Sequence, residues 1–565
     1  MIVDSSILSR HDQSFDLIVI GGGAAGLTLA QAVGSKGLRV LLLEAGGPRE
    51  TREGRAALSG ELAAPAVHPA LDLYRTRALG GTSRLWGGRC IPLDRIDFDR
   101  RDWIGKSGWP VGYEEIAAYY PAAMTAAEAG ANEFDPASVF AGSRSELAAG
   151  LDGDLVRTTI ERFSRPTDFW RRFGIELASS NRIYVLPHTR LLSIRLTSNG
   201  SVVEKLVVAD RAGRQFLVRA STYVLALGGL EATRVLLASR DVKPGGIGND
   251  FDQLGRYYMS HFCANGGTLD MSSSPAALAF DYQRDSEGIY LRRRLWLTET
   301  SQRLFRLPNI TFRTHLPDPG DPAHRNAILS AMFLSKSFVQ KEYAAKFSEG
   351  MITRVDYLRH ARNIAVQPAA LSRFAAMWLR RRILTRRKLP SVVLASADHR
   401  YPLEFHAEQL PNSDSRVTLS ERRDADDVPR LKVDWRVLDA DVEGIVRAHR
   451  LLKREVERTG IGHLSVDEAA LSSCIRDRSI VGGHHIGTTR MSVTPQHGVV
   501  DPDCRVHGVD NLFIASSSVM PTSGQANPTL TILALALRLA DHLHMRSRST
   551  AAGSVDTSRR AAALR

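Results

Sequence analysis

Phe15-Asp16-Leu17-Ile18-Val19-Ile20-Gly21-Gly22-Gly23-Ala24-Ala25-Gly26-Leu27, followed by Val40-Leu41-Leu42-Leu43-Glu44, is the stretch that decides the fold. An apolar run breaking into Gly21-x-Gly23-x-x-Gly26 reads as a buried parallel strand that turns into a helix. Its glycines let a pyrophosphate approach the backbone amides at the helix N-terminus. Glycine also serves such turns for steric reasons alone, so the pattern is weak by itself. Glu44 supplies the context, as an acid placed to accept both ribose hydroxyls of an adenosine and to repel a 2'-phosphate. The expectation is an adenine dinucleotide without that phosphate, NAD or FAD.

Outward from this turn, length and composition set the frame. A chain of 565 residues exceeds what one hydrophobic core organises, so at least two lobes are expected, interleaved along the sequence. Its 43% hydrophobic and 24% charged residues are ordinary for a globular protein. Cys90, Cys263, Cys474 and Cys504 show no CxxC spacing, which argues against a disulfide framework or a zinc or iron-sulfur cage, and no metal is expected. Residues 1–14 lack the pattern of a secretion signal, and no run of about 18 apolar residues occurs. A cytoplasmic protein is the expectation.

The formal charge of +13 is local. Residues 341–388 hold 12 basic and 3 acidic side chains, residues 546–565 hold 5 and 1, and these two segments carry the whole excess. A chain-wide affinity for nucleic acid is therefore not implied. Leu371, Phe374, Ala375, Trp378 and Leu379 fall on one helical face that leads into Arg380, Arg381, Arg382, Arg386, Arg387 and Lys388, a basic amphipathic helix. Two roles remain open for it: an insertion packed on its own domain, or a membrane-surface or partner contact. The tail from Arg546, poor in large apolar residues, is expected to be disordered.

Other motifs extend the dinucleotide lobe. The loop Leu79-Gly80-Gly81-Thr82-Ser83-Arg84-Leu85-Trp86-Gly87-Gly88 is too glycine-dense for a regular element and must approach something closely. Residues 113–129 have helical periodicity, and 182–196 with 202–209 read as a hairpin. The run from Thr222 to Ala232 repeats the strand, glycine turn and helix. Runs such as 403–406 and 416–419 predict a separate antiparallel sheet. Near the C-terminus, Asn511-Leu512-Phe513-Ile514-Ala515 reads as a buried strand. Asn527-Pro528-Thr529-Leu530-Thr531 then opens a long helix, with Asn527 as its cap and Pro528 as its first residue. The positive end of that helix suits the negative charge of a reduced flavin, although simple capping accounts for the same residues.

Glu44-Ala45-Gly46-Gly47, Gly80-Gly81-Thr82-Ser83, Ala226-Leu227-Gly228-Gly229-Leu230-Glu231, His484-His485-Ile486-Gly487-Thr488 and the segment from Asp503 to Leu512 together resemble the glucose-methanol-choline (GMC) flavoprotein oxidoreductases. The resemblance runs from about Phe15 to His542, and Ala526-Asn527-Pro528-Thr529 is most similar to pyranose oxidases and related sugar or glycoside oxidoreductases. It implies an α/β fold of p-hydroxybenzoate hydroxylase-like architecture, a Rossmann-like FAD-binding domain interleaved with an α+β substrate domain built on an antiparallel sheet. The borders expected are 14–110, 183–262 and 480–543 for the FAD domain, and 111–182 and 263–479 for the substrate domain, the latter holding the basic insertion 341–390.

The resemblance also implies the chemistry: oxidation of an alcohol to a carbonyl with hydride transfer to flavin N5, and oxygen or a quinone as acceptor. The catalytic histidine falls on His484, with spacing to Gly487 favouring it over His485, and the second polar position falls on Asn527. A base is needed because hydride leaves an alcohol carbon readily only as the hydroxyl proton is removed. Asn527 can hold the alkoxide-like oxygen without competing for that proton. Cofactor contacts carry over to Gly21, Gly23, Ala24, Ala25, Gly26, Glu44, Ala45, Gly80, Gly81, Ser83, Leu85, Trp86, Gly87, Gly88, Leu191, Ala226, Gly228, Ser516, Ser517, Asn527, Pro528 and Thr529. Two departures matter. Leu85 stands where pyranose oxidases bond a histidine to the flavin, so non-covalent FAD is expected. Ser516 replaces an aspartate, so amides or hydroxyls should contact the cofactor there. Glu408, Gln409, Asn412 and Arg416 either line a substrate pocket or form a solvated turn. A non-redox lyase on the same fold is the alternative activity.

Overall fold

The computed structural model describes residues 1–9, 14–141, 145–272, 278–336, 353–396 and 398–563, with side chains to Ser549. Most of the lysine- and glutamate-bearing start of the basic insertion, 341–352, lies outside the described residues. Two sheets organise the molecule, and the chain crosses between them repeatedly. β1 (Leu17–Ile20), α1 (Ala24–Ser35) and β2 (Val40–Leu43) form the opening unit, every residue of both strands being buried. Such continuous apolar strands belong to a parallel sheet covered on both faces. The chain leaves it through the second glycine loop to β3 (Arg89–Cys90), α2 (Tyr113–Ala117), α3 (Tyr120–Ala126), β4 (Val156–Phe163) and α4 (Phe169–Ser179). It returns for β5 (Ile183–Leu186), β6 (Thr222–Leu225) and α5 (Gly228–Ala238).

The second excursion supplies β7 (His261–Asp270), β8 (Tyr290–Leu297), β9 (Ile310–Thr314), α6 (Arg354–Val366), α7 (Pro368–Trp378), β10 (Arg400–Glu408), α8 (Asp439–Thr459) and β11 (His463–Ser465). β12 (Leu512–Ile514) and α9 (Thr529–Ala563) close the first lobe. The parallel sheet has the order β12-β6-β1-β2-β5, with Leu17 opposite both Thr222 and Val40. The antiparallel sheet has the order β11-β7-β10-β9-β8-β4-β3, with a short strand, Gln283–Arg284, on β8. This is the expected α/β architecture with its interleaved antiparallel lobe.

Alternation along the antiparallel strands decides what each face does. Leu295, Ile310, Phe312, Leu403, Phe405 and Ala407 pack on Ile445 and Leu452 of α8. Their neighbours in sequence, Glu161, Arg292, Arg294, Arg313, Glu404 and His406, occupy the opposite face with His261, as the strand register requires. A polar surface thus rests on an apolar slab.

Several expectations shift. The stretch 182–196 is two strands, because Pro187 cannot donate to a ladder and ends β5. Arg190–Leu196 then pairs with Val203–Ala209 in a separate three-stranded sheet. The helical run from Tyr113 breaks before Pro121 into α2 and α3. The segment 111–182 is shared between the lobes: α3 packs on α9 and α4 on α1, while β4 joins the antiparallel sheet. The helix opening at Thr529 runs on to Ala563, through the tail expected to lack structure; its alanine- and arginine-rich composition is compatible with helix. On α7, Phe374, Met377 and Trp378 pack against a small cluster that includes Phe163, Tyr290 and Leu389, so its apolar face is held largely by its own domain.

Candidate active site

The dinucleotide turn is built by close approach. A Cβ on Gly26 would come 1.9 Å from the Gly21 carbonyl oxygen, so only glycine lets α1 sit this near β1. The second glycine loop folds onto the first: Gly80 N donates to Gly22 O at 2.8 Å, and a Cβ on Gly81, whose φ is +58°, would stand 2.7 Å from Gly23 Cα. Gly23 precedes α1 with no side-chain cap, leaving the amides of the first turn for an anionic group. Glu44 accepts from Gly22 N and Gly46 N, each at 2.7 Å, while burial raises its carboxyl above the usual range. An uncapped buried helix start with an acid held at the end of β2 fits the adenosine diphosphate half of FAD.

Around this turn lie the other expected cofactor positions. Ala24 and Ala25 open α1, Ala45 follows Glu44, and Ser83 donates to Gly80 O at 2.5 Å within the loop. Leu85 ends a short 3-10 turn, Trp86 donates to Thr167 O at 2.9 Å, and Gly87 and Gly88 lead straight into β3. Ala226 and Gly228 lie at the exit of β6. Leu191 lies in the strand that begins just after Thr189, whose amide donates to Glu44 O. The hydroxyls of Ser516 and Ser517 are engaged inside the chain, the first with Ser518 at 2.6 Å and the second donating to His485 O at 2.6 Å.

At the other end of the site, His484 Nε2 and Asn527 Nδ2 are 3.1 Å apart. Asn527 is not the helix cap. The first backbone bond of α9 runs from Ile532 N to Pro528 O at 2.9 Å, so the cap position is Pro528 and the Asn527 amide turns away into the site. Arg89 reaches Asn527 Oδ1 at 3.5 Å, which orients the amide with its NH2 toward His484. His485 points elsewhere: its Nδ1 lies 2.8 Å from the Tyr258 hydroxyl, which in turn meets His68 Nε2 at 3.0 Å. Burial, then Arg75 and His68, hold the His485 imidazole well below its ordinary range.

The polar face of the antiparallel sheet forms the wall opposite. His261 Nδ1 lies 2.9 Å from His484 Nδ1, and the His261 ring stacks on His406 at 4.7 Å. Arg89 and Arg313 pair with Glu161 at 3.0 and 3.2 Å, Arg313 also pairs with Glu404, and Arg294 donates to Gln525 Oε1 at 2.5 Å. Burial lowers Arg294 to about 10. Burial, His261, His484, Arg89 and Arg313 drive His406 far below its ordinary value. Nitrogens of His261, His406 and His484 lie within 4.8 Å of one another, the one such metal-sized group among the described residues. Arg89 and Arg313 act against a cation there.

Sequence reasoning missed Arg89, His261, His406 and Gln525. The signal for His406 and the arginines was the period-two alternation of charge with apolar residues. His261 had none, standing 223 residues from His484. Of the four residues considered for a pocket, Glu408 forms a buried pair with Arg101 at 2.5 Å, because that guanidinium needs a carboxylate where both are inaccessible. Gln409 bonds Ser260 N, Trp435 and Ser523, Asn412 accepts from Asp414 N in a turn, and Arg416 pairs with Asp252 at the surface. They serve structure, and the charged sheet face stands nearest the histidine.

Residues 16–80 match the FAD binding domain family, and residues 411–536 match the GMC oxidoreductase family. The chain is 26% identical to 6'''-hydroxyparomomycin C oxidase of Streptomyces lividus, over 94% of this chain and 92% of that one. It is 25% identical to paromamine 6'-oxidase of Streptomyces fradiae, over 94% and 91%. The crystal structure of pyridoxine 4-oxidase from Mesorbium loti shares the fold with a TM-score of 0.53 at 19% identity, covering 94% of this chain and 99% of that one. With the glycine turn, the second glycine loop and the C-terminal block all in the same order, the chain carries the FAD binding and GMC oxidoreductase family domains and is similar to these oxidases over nearly its whole length.

Proposed function

We propose that the protein oxidises a hydroxyl of a sugar, glycoside or similar polar alcohol to a carbonyl, with non-covalently held FAD, and with His484 as general base. The observation that carries this reading is the 3.1 Å pairing of His484 Nε2 with Asn527 Nδ2 beside Arg89. FAD, when bound, supplies the hydride acceptor. The chain does the rest. His484 Nε2 takes the hydroxyl proton, Asn527 Nδ2 donates to the substrate oxygen as it becomes alkoxide-like, and Arg89 adds positive charge beside it. The charged donors and acceptors on the sheet face suit a hydroxyl-rich substrate, and the relatives include oxidases named for 6'''-hydroxyparomomycin C and paromamine. Leu85 offers no nucleophile for a covalent flavin link. Cys90, Cys263, Cys474 and Cys504 form no disulfide with one another, which accords with a reducing, cytoplasmic setting.

The test is anaerobic mixing of the enzyme with a panel of sugars, glycosides and polyols, followed by oxygen or a quinone. Bleaching of the flavin absorbance identifies the substrate class, and recovery identifies the acceptor. A lyase would leave the colour untouched. His484→Ala is expected to keep FAD and slow reduction by about 10²- to 10⁴-fold, the usual worth of a general base. If His485→Ala shows the larger loss, the base is misassigned.

One observation favours a second property, recruitment to an anionic membrane surface. Among the described residues no helix is long and apolar enough to cross a membrane. Beyond the packed face of α7, however, Leu379, Ile383 and Leu384 are 48%, 61% and 74% exposed beside Arg380 and Arg386. Apolar side chains among arginines match a headgroup interface. The protein should pellet with phosphatidylserine-containing vesicles, and replacing those three apolar residues with serine should abolish pelleting. Equal recovery of both proteins in the supernatant would remove this reading.

A further inference from the structure

We propose that His261 is a positioning residue that fixes the tautomer of His484, keeping His484 Nε2 unprotonated and turned toward Asn527. The inference rests on the reading of His484 as base, and it follows from where each proton in the chain of rings can be. His261 Nε2 lies 3.2 Å from the carbonyl oxygen of Ser523. A carbonyl only accepts, so Nε2 of His261 carries the hydrogen. Burial holds the His261 imidazole at about 4, so near neutral pH the ring has a single proton and its Nδ1 is an acceptor. The ring nitrogen 2.9 Å from that acceptor, His484 Nδ1, must then donate.

A neutral His484 protonated on Nδ1 has a lone pair on Nε2, where the Asn527 NH2 donates at 3.1 Å. A substrate hydroxyl that displaces this amide meets the nitrogen able to take its proton. In that transfer the substrate O–H bond breaks and an N–H bond forms on Nε2. The Nδ1–H bond to His261 persists throughout, so the imidazolium keeps its acceptor. His406 holds the relay from the side. Its Nδ1 lies 2.7 Å from the Gln525 carbonyl, and its ring lies at 30° to the His261 ring. The His261 and His484 rings are almost perpendicular, at 88°. Without an acceptor at Nδ1 the proton of a neutral imidazole is free to move to Nε2, which then cannot act as base.

The experiment reads the tautomer directly. Holoenzyme labelled with 15N-histidine should show His484, assigned by the signals lost in His484→Gln, with Nδ1 protonated and Nε2 unprotonated. His261→Asn places a carbonyl oxygen near the former Nδ1 and should preserve that state. His261→Phe should lose it and slow flavin reduction on the order of 10²-fold, with a changed pH profile. Both variants are checked for FAD absorbance and thermal midpoint. A protonated Nε2 in the wild-type protein overturns the proposal, and this result needs no variant to fold. So does a His261→Phe protein that keeps the wild-type tautomer, or a His261→Asn protein as slow as His261→Phe. A divalent ion found at stoichiometry by elemental analysis also overturns it, because both Nδ1 atoms would then be ligands. If His484→Ala reduces flavin normally while the tautomer is as described, the base assignment fails and the relay stands.

Discussion

Asn527 shows how one residue can be misread by its neighbours. Asparagine before proline at the start of a long apolar run has every mark of a helix cap, yet the first turn of α9 is closed on Pro528 O and the amide meets His484 instead. Asn527→Ala should therefore leave the denaturation midpoint nearly unchanged, whereas loss of a true cap costs about 1 kcal/mol. Flavin reduction, measured in the same preparation, should fall sharply. A matching loss of stability would return Asn527 to the cap. The glycines of the turn and Glu44 were legible because their reasons are local: a helix crossing a strand too closely for a Cβ, and an acid at a strand end. The partnership of His484 with His261 was not, since nothing near either residue signals a contact across 223 positions.

At the scale of elements, legibility followed periodicity. β1, β2, β6 and β12 are fully or almost fully buried strands, and their apolar runs announce them. The segment ending in Leu196 was harder. Apolar residues run through both of its strands, and Pro187 marks where one, joined to a parallel sheet, gives way to the other, which starts an antiparallel one. The antiparallel strands carry charge where a half-solvated sheet would be expected to show water-facing residues. Arg292, Arg294 and Arg313 are 4%, 4% and 7% exposed, so the face that looks like a surface in sequence is an interior wall. Such a wall needs internal pairing, which Glu161 and Glu404 give to Arg313. Alternation revealed the sheet and concealed which of its faces was functional.

The molecule as a whole should be sensitive to acid. Burial holds His68, His261 and His449 at about 4, below the 6.5 of an unfolded imidazole. Between those values the unfolded chain binds more protons, so the stability these rings contribute is present above pH 6.5 and is lost as pH falls through 4. Asp441 works the other way: burial raises it to about 7, so its contribution declines as pH rises through that value. His188, His324, His406, His485 and His507 are lowered as well, so the lowered imidazoles outnumber the raised carboxyls of Glu44, Asp94, Asp97, Asp152 and Asp441, and each unit of displacement is worth about 1.4 kcal/mol. The thermal midpoint should drop between pH 6.5 and 4. His449→Leu, remote from the site, should flatten that dependence. Parallel curves for the two proteins would show that His449 is protonated equally in both states.

The order β12-β6-β1-β2-β5 has a consequence for how the protein is made. β1 is synthesised well before β12, the strand completing its side of the sheet, and Asn527 comes later still. At about 5–20 residues per second, the first glycine turn waits roughly half a minute to two minutes for the segments that enclose it. Throughout that interval the growing chain carries its first glycine turn without the paired His484 and Asn527. Loading with cofactor is thus tied to the synthesis of these later segments, and chains released before them would present exposed apolar strands to the cell's chaperones and proteases.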